Sequence, residues 1–149
     1  MNRSERLQPV AKLAGKQEQS AAQALGDARQ VQVGEEKRLE ELMLYRQEYV
    51  IDFQRRGRAG LNGSDLQQFQ QFLNQLDRAI LQQQQRIQGA VTQVEHRVGQ
   101  WQQRATKAKA IGNAVGNLQQ AEVRQNDKRD QAVQDDRSAQ RIHHNRTKR

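Results

Sequence analysis

Hydrophobic positions recur every seven residues through the second half of the chain. From Leu66 the apolar step passes through Leu73, Ile80, Ile87, Val94, Trp101, Ala108 and Val115 without a miss. A companion position three residues on reads Phe69, Leu76, Gln83, Ala90, Arg97, Arg104, Ile111 and Leu118. Where the companion turns to Arg97 and Arg104, the next residue is apolar (Val98, Ala105), and Val91 already stands beside Ala90. A seven-residue apolar repeat is the seam of a coiled-coil helix. The one-residue drift of the companion is what a straight helix of about 3.6 residues per turn shows against a repeat of about 3.5.

A thinner stripe precedes it. Steps of seven give Leu7, Ala14, Ala21, Ala28, Glu35, Leu42 and Tyr49, interleaved with Val10, Gln17, Ala24, Val31 and Tyr45, and flanked by Leu25, Leu39 and Phe53. This predicts a first helix over 7–55, with Pro9 in its first turn, where a missing N–H costs nothing. Gly57, Gly60 and Gly63 interrupt the pattern and supply the conformations that end a helix and reverse a chain. Ser64, three residues before Gln67, reads as a capping box. The bend is therefore placed at 56–64 and the second helix at 65–141.

A bend centred near Leu61 makes facing residue numbers sum to about 120. Leu42 then lies near Ile80, Ala28 near Val94, Ala21 near Trp101 and Leu7 near Val115. Large residues meet small ones, and the apolar repeat stops at Leu118, where the first helix has no residues left to cover it. The expected fold is all-α: one domain over 1–149, a long antiparallel two-helix coiled-coil hairpin with a C-terminal helix overhang. The overhang mixes acid and base, and the basic tail at 142–149 is expected to be disordered.

Composition narrows the chemistry. Hydrophobic residues make up 34% and aromatics 4% of the 149 residues, too few for a thick core but enough for a seam. No cysteine is present, so disulfides and thiolate chemistry are excluded. No apolar run approaches the ~18–20 residues of a membrane span, and the first residues do not form a signal segment. The formal net charge of +8 favours an acidic partner of some kind.

Catalysis needs convergent side chains in a water-excluding pocket, which two helices do not offer. His143 and His144 are adjacent, so on a helix they point about 100° apart and chelate poorly. His96 beside Arg97 reads as a solvated residue. The glycines at 57–63 lack the G-x-x-x-x-G-K-[ST] order of a phosphate loop. No enzyme activity, metal or cofactor is expected. Arg97, Arg104, Lys107 and Lys109 could follow phosphates, so a basic coiled coil binding nucleic acid or another acidic polymer is the alternative reading. It lacks aromatic stacking platforms in the basic segments.

Every aromatic other than Trp101 falls near the bend. Tyr45, Tyr49 and Phe53 oppose Phe69, Phe72 and Leu76, a stripe wider than a seam requires. Exposed aromatic surface of this kind marks a protein partner. These residues also carry a resemblance. Tyr45-Arg-Gln-Glu-Tyr49, the glycine-containing bend, and Phe69-x-x-Phe72-Leu73-x-x-Leu76-x-x-Ala79-Ile80-x-x-Gln83 resemble the FliJ family of the bacterial flagellar type III export apparatus. The likeness extends more loosely from Leu7 to Trp101.

The resemblance implies a soluble antiparallel coiled coil, cytoplasmic and peripheral to the inner membrane at the flagellar base. The implied partners are the hexameric flagellar export ATPase, the cytosolic domain of the export gate, and flagellar export chaperones, with no nucleic acid. It places a gate-binding surface on Leu42, Tyr45, Tyr49, Phe72, Leu76 and Ala79, with Gln83 at its polar end. Arg38 stands at its edge, where an uncharged amide is expected. Phe72 is the expected outward anchor. The end bearing the termini, lined by small residues such as Ala14, Ala21, Ala105 and Ala108, is the end that the resemblance sends into the ATPase ring.

Overall fold

The computed structural model describes residues 1–147. It is all-α, with α1 at Arg3–Gly57 and α2 at Gly63–Thr147, packed against each other as a hairpin. The chain divides into two compact units, one made of Met1–Gln19 with Gln103 onward, the other Ser20–Gln102.

In the Ser20–Gln102 unit, the two helices are joined by 58–62. Gly60, at φ +96°, is the residue that takes a left-handed conformation, where a side chain would be strained. Gly57 and Gly63 close one helix and open the next. The cap is not the expected Ser64. Asn62 Oδ1 accepts the Asp65 N–H at 2.9 Å, and the Asn62 carbonyl accepts the Leu66 N–H at 3.3 Å. An Asn two residues before Ser64 offers its oxygen first, so α2 starts at Gly63.

The seam of α2 follows the sevenfold step from Leu73 to Val115, all of it buried or half-buried. Leu66 departs from the expectation at 56% exposure, because the last turn of α1 (Gln54, Arg55, Arg56) has no apolar residue to receive it. The drift of the companion is present: Ala90 is buried, Arg97 and Val98 share the edge, and further on Ala105 is half-buried while Arg104 is exposed.

On α1 the companion lies four residues after each step, not three. Ala11, Glu18, Leu25, Gln32, Leu39, Arg46 and Phe53 face inward, whereas Val10, Val31 and Tyr45 are exposed. Leu25, Leu39 and Phe53 bury more apolar surface than two valines, so they set the rotation of the helix. The polar members of the inner row reach partners or the edge.

Cross-helix pairs follow the expected register. Glu35 meets Gln83, and Phe53 meets Phe69. In the other unit, Arg104 donates to Gln17 at 3.2 Å. That unit also moves the start of α1. Ser4 is 4% exposed; its N–H and Oγ both donate to the Glu122 carboxylate, at 3.1 and 2.6 Å. A carboxylate on exposed N–H groups of a first turn is a cap with favourable charge. Here it comes from the opposite helix, and the seam runs one turn beyond Leu118. The helix begins at Arg3, so Pro9 is interior. The carbonyl left without a donor is that of Glu5, an exposed residue that water can reach.

Beyond Glu122, α2 continues alone, and Val123–Thr147 is exposed throughout. The tail expected to be disordered from 142 is helical to Thr147, whose hydroxyl donates to the carbonyls of His143 and His144. No glycine or proline lies between Asn117 and Thr147 to stop it. Lys148 and Arg149 of the expected tail lie outside the described residues.

Candidate functional site

The aromatic residues near the bend form a ladder that alternates between the helices. Phe53 and Phe69 stack with centroids 3.7 Å apart. Phe69 then meets Tyr49 at 5.4 Å, nearly parallel. Tyr49 leans on Phe72 at 4.5 Å, and Phe72 meets Tyr45 edge-on at 6.2 Å and 84°. Each such pair contributes about 0.5–1.5 kcal/mol beyond the area it buries. The ladder exists because Tyr45, Tyr49 and Phe53 recur four residues apart on α1 while Phe69 and Phe72 are three apart on α2.

Its exposure is graded. Leu76 beneath it is 6% exposed, and Phe53, Phe69, Tyr49 and Phe72 are half-buried. Tyr45, at 49%, is the rung that faces water. Phe72 is not the freest aromatic, because it is held between two tyrosine rings. Leu42 and Ala79 are half-buried at the margin, and Arg38 is exposed. Gln83 lies 3% exposed inside the seam, where its Nε2 donates to the Glu35 carbonyl at 2.8 Å and to the Glu35 carboxylate. Of the residues expected at this surface, Tyr45, Tyr49, Phe72, Leu42 and Ala79 reach it, while Leu76 and Gln83 support it from below.

Beside the ladder, Arg46 Nε donates to Asp77 Oδ1 at 2.6 Å. That hydrogen bond, and then the charge of Asp77, raises the Arg46 guanidinium above its ordinary value. Arg46 was absent from the sequence-based site. Its signal was positional: it stands seven residues after Leu39 and seven before Phe53, on the inner row.

The description of the flagellar FliJ protein family matches residues 3–147, nearly the whole chain. The chain belongs to the FliJ family. As a FliJ-family chain it is a component of the flagellar export apparatus, active in flagellum biogenesis and protein export. Compared with curated proteins and with solved structures, it matches none. Among the described residues of this FliJ-family chain, no helix is long and apolar enough to cross a membrane. Among the same residues, no group of three His, Cys, Asp or Glu is placed to hold a metal ion.

Proposed function

We infer that the chain is a coiled-coil stalk linking the hexameric flagellar export ATPase to the membrane export gate, and that it handles export chaperones. It acts through binding and performs no catalysis. The observation that carries the reading is the aromatic ladder, which presents Tyr45 to solvent on a backing of four more rings. An aromatic held rigidly by its neighbours loses little freedom on binding and makes a good anchor. The gate's cytosolic domain is assigned to this surface, with Tyr45 and Phe72 at its centre, Leu42, Tyr49 and Ala79 around them, and Leu76 and Gln83 as its support.

The ATPase ring is assigned to the unit built from Met1–Gln19 and Gln103 onward. Ala11, Ala14, Ala105 and Ala108 line its seam, and small seam residues let helix axes approach closely. A slim pair of helices, continued by a single helix, suits a narrow central opening. In this reading the protein is cytoplasmic and reaches the inner membrane at the flagellar base through its partners.

The test is calorimetry with the isolated gate domain. Truncating an aromatic anchor typically costs about 2 kcal/mol, roughly thirtyfold in affinity. Tyr45→Ala is expected to weaken binding by about that factor with little change in melting temperature. Normal binding by Tyr45→Ala removes the ladder from the gate assignment.

A further inference from the structure

The charge of the chain is unevenly held. The Ser20–Gln102 unit carries ten Lys or Arg against ten Asp or Glu. The paired part of the other unit, 1–19 with 103–122, carries seven basic residues against three acids, Glu5, Glu18 and Glu122. Its α2 segment, with Arg104, Lys107 and Lys109, holds one acid, Glu122, which is taken up by Ser4. The seam positions of Glu18 and Glu122 leave Glu5 as the one fully exposed acid in this part.

The outward arc of α1 in this unit has a second property. Val10 is 45% and Leu13 57% exposed. By helical rotation Leu13 lies nearly opposite the seam row of Ser4, Leu7, Ala11 and Ala14. Lys12 and Lys16 stand on one side of it, with Glu5 between them in rotation, and Arg3 and Arg6 on the other; all five are exposed. Two apolar side chains flanked by four cations and a single acid, on one face of a helix, match the chemistry of an anionic lipid surface. The aliphatic tips enter the headgroup boundary while the cations meet phosphate. Nucleic acid fits less well, because the paired part of this unit contains no aromatic residue on which a base could stack.

We propose that the outward face of α1 between Arg3 and Lys16 docks on an anionic phospholipid surface, with Leu13 and Val10 as shallow insertions. The binding is reversible, since two aliphatic residues and a handful of cations fall far short of a permanent anchor. The face belongs to the unit assigned above to the ATPase ring, so ring and lipid are alternative occupants, and lipid binding is tested with neither the gate nor the ATPase present.

The experiment is co-sedimentation of the full chain with vesicles of phosphatidylcholine containing about one-third phosphatidylglycerol, against vesicles of phosphatidylcholine alone. The chain is expected to sediment with the anionic vesicles and stay in solution with the neutral ones. A basic side chain near an anionic leaflet contributes about fivefold, so Lys12→Glu with Lys16→Glu should lower the partition by about 25-fold or more. Leu13→Ser should lower it about fivefold and leave the remainder fully sensitive to salt. All these positions are exposed, so circular dichroism should be unchanged. Lys37→Glu, in the neutral unit, serves as control and should bind as the parent does. Equal sedimentation with neutral vesicles, or unaltered binding by the double charge reversal, overturns the proposal. So does lipid binding that ignores Leu13→Ser while polyglutamate or RNA competes fully: the face would then read charge alone, and the partner would be an acidic polymer.

Discussion

The buried amide at Gln83 offers a sharp test of how the seam is specified. Its Nε2 makes one neutral hydrogen bond, to the Glu35 carbonyl, and one charge-assisted bond, to the Glu35 carboxylate. Neutral bonds contribute about 0.5–1.5 kcal/mol and charge-assisted ones about 1.5–3. Gln83→Leu removes both, about 2–4 kcal/mol, and regains about 1.5–2 by burying an apolar side chain. The expected net loss is about 1–2 kcal/mol. Glu35→Leu should cost a similar amount, because a 3%-exposed amide loses its better acceptor. The double substitution removes the polar layer altogether and should be at least as stable as the parent. The coupling between the two sites is then about 2–4 kcal/mol, measured by urea unfolding of all four proteins as a double-mutant cycle. A polar residue in a seam fixes alignment at a cost in stability. Spin labels flanking the layer should therefore report a broader spread of interhelical distances in the stable double variant. Additive single effects, or a double variant with an unchanged distance distribution, refute the reasoning.

Other outcomes follow from particular side chains. Leu76→Ala, at a 6%-exposed position under the ladder, should cost about 3 kcal/mol in urea unfolding, in contrast to Tyr45→Ala. Ile80→Asp places an unpaired charge in the seam and should lower helicity at 25 °C by circular dichroism. Glu122→Ala removes the clasp on Ser4; amide exchange over 4–7 should accelerate by about fivefold to thirtyfold, matching a lost cap of about 1–2 kcal/mol. Ending the chain after Val123 keeps every seam residue and should preserve the hairpin while abolishing stimulation of the export ATPase; full stimulation by the shortened chain would refute the ring assignment.

What the sequence carried well was periodicity. Seven apolar steps from Leu73 to Val115 place the inner face of α2, and the glycines place the reversal, because both signals are local and repeated. The rotation of α1 differs by one residue from the sequence pattern, since Val10 and Val31 look like seam residues while Glu18, Gln32 and Arg46 do not. Only the facing helix decides between them: the bulk of Leu25, Leu39 and Phe53 must point at α2, and the polar residues between follow. The same dependence hid the clasp. Ser4 and Glu122 are 118 positions apart, and neither has a local pattern that announces the other. At the ladder, residue types marked the aromatic cluster, but which ring faces water depends on packing. Phe72 adjoins two tyrosines in space, so the exposure expected of it passes to Tyr45.

The overhang from Val123 to Thr147 has a thermodynamic consequence. Its 25 residues have no facing helix, so only local hydrogen bonds and side-chain pairs hold them. Such a segment exchanges helical and coil turns on about the microsecond scale, melting gradually where the paired region melts as a unit. Its reach is therefore a distribution: a helical residue advances about 1.5 Å, an extended one more than twice that. A partner that grips the overhang must also complete its helix. The heat-capacity change on binding will then include folding as well as contact, with an unfavourable entropy to match. An interface area inferred from that heat capacity alone would come out larger than the surface the partner touches.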